Sequence, residues 1–366
     1  MTTFMTVSSP TDWKQLYETV PSEFKESYSR LKRAAEVLTT DPEPEVGLTP
    51  KEVIWTKNKT KLYRYVSDQP KKHKLPLLMV YALINKPYIL DLTKGNSLVE
   101  YLVNQGFDVY LLDWGTPGYE DKNMKLDDYI LDYIPRAVRK VLKTSKADEC
   151  SILGYCMGGT MTSIFAALHP DLPVRNFIFM TSPFDFEDTG LYGSFLDERY
   201  FDIDNVVNTL GIIPPEMIDF GNKMLKPITN FYGPYVNLIT RADNEKFIKS
   251  WKLLQKWVAD GIPFPGEAYR QWIRDFYQNN KLIKGELVIR GRKVDLKNIK
   301  ANVLNLSAER DHIAQPHQVE ALMDVISSKD KEYVSIPAGH VSVTFGPKAV
   351  KITYPTISGW LAKRSN

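Results

Sequence analysis

The feature that most constrains this chain is the hexapeptide Gly154-Tyr155-Cys156-Met157-Gly158-Gly159. It lies between an apolar run, Cys150-Ser151-Ile152-Leu153, and a segment with helical spacing through Met161, Ile164, Phe165 and Leu168. A sharp strand-to-helix turn that lifts one side chain above a sheet needs small residues on either side of it. Gly154 and Gly158 supply them, and the residue lifted is a thiol. The dipole of the helix that follows favours negative charge at its N-terminus, and so the nucleophilic thiolate. The competing reading is a buried structural cysteine in a glycine-rich turn.

The two readings part on whether an acid and a base follow in the right order. In a strand-turn-helix nucleophile site the partners come later in the chain, carboxylate before histidine, each in a loop at the C-terminal end of a strand. Residues 301–308 have the pattern of such a strand and are followed by Glu309-Arg310-Asp311-His312. Residues 332–336 alternate as a short strand, and Pro337-Ala338-Gly339-His340 is the loop after it. The chain thus offers Cys156, Asp311 and His340 in order and at element ends.

Five histidines can be weighed one by one. His73, in the polar run Pro70-Lys71-Lys72-His73-Lys74, is expected to be solvated. His169 sits at a helix end, where imidazolium suits the dipole. His317 opens a helix after Pro316 and has no acidic loop to match. His312 adjoins Asp311 and is the rival base, but strand-end placement favours His340. Glu309 and Asp295 are the rivals of Asp311, which the same argument prefers. Cys150 is expected to be an inert thiol.

Along the chain, 22–38 has the spacing of an amphipathic helix with Phe24, Tyr28, Leu31 and Leu38 on or near one face. Residues 53–65 alternate as a hairpin around Lys57-Asn58, and 75–84 is a continuous apolar run of the kind a buried parallel strand presents. Strand patterns at 107–114, 150–154, 174–182, 301–308 and 333–336, with a helical pattern at 126–141, imply βαβ units and a mostly parallel sheet. The alternation stops between 183 and about 280, an aromatic- and proline-rich interval with helical stretches at 215–225, 246–259 and 267–278. The expected organisation is a helical leader at 1–45, a catalytic core at 46–183 and 281–366, and an inserted lid at 184–280. Within that lid Tyr232, Tyr235, Phe264 and Trp272 receive no assigned role.

Composition excludes several classes. Apolar residues make up 43% of the 366, enough for a sizeable core, and a formal charge of +3 gives no nucleic-acid footprint. Two cysteines in so long a chain build no disulfide framework, which points to a reducing compartment such as the cytoplasm. No apolar run reaches the roughly 18 residues of a spanning helix, and Met1-Thr2-Thr3-Phe4-Met5 does not begin a signal peptide.

The hexapeptide, the run Ile84-Asn85-Lys86-Pro87-Tyr88-Ile89-Leu90-Asp91-Leu92, the strand end Leu112-Asp113-Trp114-Gly115 and Gly339-His340-Val341-Ser342 together resemble a polyhydroxyalkanoate synthase. The wording of the motifs is most similar to the catalytic subunit of the two-component, class IV type. The resemblance implies an α/β-hydrolase fold with helices on both faces of the sheet and a helical lid. It implies an acyltransferase that polymerises (R)-3-hydroxyacyl-coenzyme A, 3-hydroxybutyryl-coenzyme A foremost, through a thioester on Cys156. Coenzyme A is then a leaving group and no cofactor is implied. The family's triad falls on Cys156, Asp311 and His340, and its lid tryptophan on Trp257, with Asp260 three residues on. A small accessory subunit, a polyester granule surface in the cytoplasm and a homodimer are the partners and setting implied. One departure is Tyr81-Ala82-Leu83, where many relatives carry paired prolines.

On this reading His340 takes the proton of Cys156, and the oxyanion is met by the backbone N–H of Met157 and a second donor at Leu83. The incoming 3-hydroxyl is activated either by Asp311 directly or by a His340 that Asp311 orients. Lys86 is a candidate for the coenzyme A phosphates. Two other classes remain: a cysteine hydrolase of thioesterase or dienelactone-hydrolase type, and a non-catalytic granule scaffold.

Overall fold

The computed structural model describes residues 21–40 and 42–365. The first twenty residues of the expected leader, with the Met1–Met5 stretch, and also Asp41 and Asn366, lie outside the described residues. Eight strands form one sheet: β1 (Lys51–Lys57), β2 (Thr60–Tyr65), β3 (Leu77–Val80), β4 (Val109–Asp113), β5 (Cys150–Tyr155), β6 (Val174–Met180), β7 (Asn302–Ala308) and β8 (Lys331–Ile336). Their order across the sheet is β1-β2-β4-β3-β5-β6-β7-β8. β1 and β2 are a hairpin closed at Asn58-Lys59, with Asn58 at φ 52° in the left-handed region that asparagine tolerates. β2 meets β4 antiparallel, and every later pairing is parallel.

The chain leaves β3 toward β4 through helix Leu98–Asn104, then reverses, crossing to β5 through Ile134–Ser145 and to β6 through Met157–Leu168. Right-handed crossovers in opposite directions place the first helix on one face of the sheet and the other two on the opposite face. The last helix, Tyr354–Ala362, joins the first of these through Tyr101 and Tyr354, whose ring centres are 5.5 Å apart. The reversal between β3 and β5 makes the crevice at their carboxyl ends the natural place for a site.

Two strand and helix expectations need correction. The apolar run at 75–84 yields only the four residues of β3, because the chain leaves the sheet at Tyr81, whose carbonyl accepts the Trp114 indole N–H at 2.9 Å. The helix expected at 126–141 is interrupted by a π-helical turn, Tyr129–Tyr133, ending just before Pro135, which has no N–H to continue the ladder.

The described residues divide into two compact units: the larger holds 45–225 and 257–365, the smaller 21–40 and 42–44 with 226–256. The stretch 226–256 of the expected lid therefore groups with the leader, and the rest of 184–280 groups with the sheet. In the smaller unit, helix Ser22–Thr39 buries Ala34 and Val37 against Leu238, Ala242, Ile248 and Trp251. Arg30 reaches Asp243 at 3.0 Å and Arg33 reaches Glu245 at 3.1 Å. The apolar stripe Phe24, Tyr28, Leu31 and Leu38 points outward, each residue more than half exposed.

In the larger unit β3 and β5 are buried along their whole length. Leu153→Ala, at a fully buried position in β5, is expected to cost about 2–5 kcal/mol. Urea unfolding should show a lower midpoint, and an unchanged midpoint would contradict this packing.

Candidate active site

Cys156 is the residue between β5 and helix Met157–Leu168, with φ 54° and ψ −127°. A non-glycine residue held there is strained and persists only where its surroundings over-determine it. They do: the Cys156 N–H donates to the Met180 carbonyl at 3.0 Å, and Gly158 lies so close to the end of β3 that a Cβ would fall well inside contact with the Val80 carbonyl. Gly154 likewise faces Gly159 and Thr162 with no room for a side chain. The glycines of the motif are thus required by close backbone approach.

Asp311 follows β7 in a tight turn, and its side chain is fully enclosed. One carboxylate oxygen accepts the backbone N–H groups of Ile313 and Ala314 at 2.8 and 2.9 Å. The other lies 2.6 Å from His340 Nδ1. His340, in the loop after β8, is held from its backbone as well, because the Tyr155 hydroxyl donates to its carbonyl at 3.0 Å. Tyr155 in turn stacks on Tyr81, with ring centres 5.4 Å apart. Burial alone would push the His340 imidazole down. The charges of Asp311 and Cys156, and hydrogen bonds to both, outweigh it and hold the imidazolium well above the usual value.

The remaining residues named from sequence fall as follows. Met157 opens the helix beside Cys156 and lines the same cavity, as does Ile84; Leu83 is buried one residue earlier. Trp257 donates its indole N–H to the Lys86 carbonyl at 2.9 Å, and Asp260 accepts the Tyr88 hydroxyl at 2.7 Å. Both therefore brace the 84–88 loop and do not line the cavity. The Lys86 amine rests on the Thr116 hydroxyl at 2.5 Å. His312 is half-buried beside Asp311, whose carboxylate is engaged by His340. His73 departs from the expected solvated state: its ring stacks on Phe107 at 3.9 Å. His169 bonds the Phe165 carbonyl at 3.2 Å, and His317 the Asp188 carbonyl at 2.9 Å. Cys150, at the far end of β5, is buried and its thiol is pushed up to about 12 by burial and then by Glu149.

Cys156 opens into a cavity of about 360 Å³ walled almost wholly by hydrocarbon and aromatic surface, including Pro183, Met217, Phe264, Trp272 and Ile313. Phe264 and Trp272, left without a role in the sequence, are therefore part of this wall, whereas Tyr232 and Tyr235 belong to the smaller unit. Tyr155 was legible only as part of the hexapeptide. The wall itself had no periodic signal, since most of it is assembled from separate segments between 183 and 277, with Ile84, Met157, Ile313 and Ala314 added from the core. Among the described residues no group of His, Cys, Asp and Glu is placed to hold a metal ion.

This arrangement is that of an α/β-hydrolase-fold enzyme, and residues 76–347 match the family model of the alpha/beta hydrolase fold. Residues 39–102 match a second model, the N-terminus of poly-beta-hydroxybutyrate polymerase (PhaC). The chain is 38% identical over 354 residues to the poly(3-hydroxyalkanoate) polymerase subunit PhaC of Haloferax mediterranei, covering 96% of this chain and 70% of that one. It is also 38% identical to PhaC of Allochromatium vinosum, over 92% of this chain and 95% of that one. The chain belongs to the PhaC family of poly(3-hydroxyalkanoate) polymerase subunits. Among solved structures, a monoacylglycerol lipase of Paleococcus ferrophilus shares the fold, with a TM-score of 0.52 and 17% identity over 83% of this chain and 99% of that one.

The raised His340 has a signed consequence. Its contribution to stability is complete below the ordinary histidine value of 6.5 and is lost as pH rises through the higher folded value. In Asp311→Asn the burial contribution should dominate, and imidazole NMR should find the His340 titration moved to lower pH. A titration that stays in place would mean Asp311 does not hold the imidazolium.

Proposed function

We propose that this chain polymerises (R)-3-hydroxyacyl groups from coenzyme A into a polyester, with Cys156 as the nucleophile, His340 as its base and Asp311 as the group that orients His340. The observation that carries this reading is the chain from Asp311 through His340 to Cys156, opening on an apolar cavity. Membership in the PhaC family supports the polymerising reaction.

The cycle runs in two halves. The thiolate of Cys156 attacks the carbonyl carbon of the acyl thioester, and the developing oxyanion is met by the Met157 N–H with a second donor from the loop at Leu83 and Ile84. Coenzyme A departs as a thiol, taking its proton from the His340 imidazolium. The 3-hydroxyl of the next unit then gives its proton to His340 and attacks the thioester on Cys156, forming an oxoester. Thioester to oxoester runs downhill, which is the advantage of sulfur at this position.

Of the two routes for activating the hydroxyl, His340 is favoured. Both carboxylate oxygens of Asp311 are already engaged, by two backbone N–H groups and by the imidazole. The apolar wall disfavours water as the competing acceptor, which is the specific argument against a thioesterase.

A two-component, class IV type assembly with a small accessory subunit is part of the proposal, as are a homodimer and action at a granule surface in the cytoplasm. Support comes from the smaller unit. The stripe Phe24, Tyr28, Leu31 and Leu38 follows a spacing of four, three and seven residues along one helix, as a seam for a partner helix does. Ile228, Tyr232, Tyr235 and Val236 form a second exposed apolar group suited to an insoluble polyester or to another copy of the chain. Both cysteines are free, in keeping with a reducing compartment. No helix among the described residues is long and apolar enough to cross a membrane. No cofactor is needed for the chemistry. Lys86 remains the proposed contact for the coenzyme A phosphates.

Thiol release and polymer, followed together with the accessory subunit present, test the reading. Polymer is expected; thiol without polymer would mean a hydrolase, and neither would mean a scaffold. Cys156→Ala should form no acyl-enzyme. Asp311→Asn should still release a first equivalent of coenzyme A but elongate about a hundredfold or more slowly, and polymer made at an undiminished rate would remove Asp311 from the mechanism.

A further inference from the structure

Three tyrosines bring phenols to the otherwise hydrocarbon cavity beside Cys156: Tyr192, Tyr269 and Tyr277. They are not equivalent. The Tyr192 hydroxyl is engaged by the Asn222 side-chain oxygen. Tyr269 packs edge-on against Phe264, and its phenol is pushed up to about 12 by burial, with no influence from the nucleophile. Tyr277 lines the same cavity as Cys156; like Tyr192 it is raised by burial first, with Cys156 and Asp311 among the further causes, and it differs from Tyr192 in that its hydroxyl is not taken up by a neighbouring side chain among the described residues.

Tyr277 is also fixed in place. It lies in the π-helical turn Trp272–Gln278, a distortion of the kind that recurs at functional sites. Its ring is held edge-on by Phe186, Tyr192 and Trp272, at centre distances of 5.1, 5.5 and 6.4 Å. Among the described residues its hydroxyl meets no hydrogen-bond partner. Tyr277 is half-buried on the cavity wall, and a rigid hydroxyl there with no such partner is placed to bond a polar atom of the ligand.

The acyl group on Cys156 has two kinds of oxygen. On the reading above its carbonyl oxygen is served by the Met157 N–H and a donor from the loop at Leu83. The other is the oxygen on C3, the atom that separates a 3-hydroxyacyl group from a plain fatty acyl group. We propose that Tyr277 is the specificity-determining residue for that atom: its hydroxyl hydrogen-bonds the 3-oxygen of the acyl group on Cys156 and so selects 3-hydroxyacyl over plain acyl chains. The inference rests on the acyltransferase reading given above. It follows the general rule that a site built to bond a substrate hydroxyl discriminates strongly against the analogue that lacks it.

The test compares Tyr277→Phe with the unaltered protein, each with the accessory subunit, on (R)-3-hydroxybutyryl-coenzyme A and on butyryl-coenzyme A. Thiol release in the acylation step is followed for both. One lost hydrogen bond of about 1.4 kcal/mol corresponds to tenfold. The variant is therefore expected to lose about tenfold in kcat/KM on the hydroxylated substrate and much less on the plain one, so that the ratio of the two falls by nearly that factor. Equal losses on both substrates would make Tyr277 a packing residue and overturn the proposal, as would an unchanged ratio. Failure of the unaltered protein to release thiol from (R)-3-hydroxybutyryl-coenzyme A would overturn the acyltransferase reading itself, and this proposal with it.

Discussion

The structure depends on the close approach of two pieces of backbone, the end of β3 at Val80 and the start of helix Met157–Leu168 at Gly158. No side chain fits between them. That approach lets Cys156 stand in a left-handed conformation at φ 54° immediately after the central strand, with its N–H anchored on Met180 of the neighbouring strand. The strain at one residue is maintained by the packing of the fully buried strands β3 and β5, which is why the distortion sits in the middle of the sheet and not at an edge. The sulfur is thereby fixed at the helix N-terminus, and everything polar in the site is arranged relative to it.

Around that fixed point the other two groups are held through short, local devices. Asp311 is clamped by two backbone N–H groups of its own turn, so its free oxygen has one direction left, toward His340. Tyr155 bonds the His340 backbone, which links the loop after β8 to the residue adjoining Cys156. The site is therefore a polar line of three groups set against an apolar cavity. Low polarity around a charged pair strengthens their attraction and keeps water away from a thioester.

Much of this was legible from the amino-acid sequence, for identifiable reasons. The glycines around Cys156 announce the turn because no other residue survives such contacts. The order Cys156, Asp311, His340 is legible because each falls just after a short apolar run whose period is that of a strand. The cavity wall was not legible, because Tyr192, Trp272 and Tyr277 come from helical and π-helical turns and Phe264 from a two-residue strand, with no common period, and only tertiary packing brings them together. The grouping of 226–256 with helix Ser22–Thr39 was hidden for a similar reason: it rests on pairs such as Arg30 with Asp243, more than two hundred residues apart. His73 misled because its polar neighbours conceal a ring stacked on Phe107.

The most direct test of the account is to quench the protein during turnover with (R)-3-hydroxybutyryl-coenzyme A and locate the covalent adduct by peptide mass spectrometry. The account predicts 3-hydroxybutyryl and longer oligomers attached to the peptide that carries Cys156, as thioesters released by hydroxylamine. An actively polymerising protein with no adduct on that peptide, or with the growing chain attached to another side chain, would contradict it.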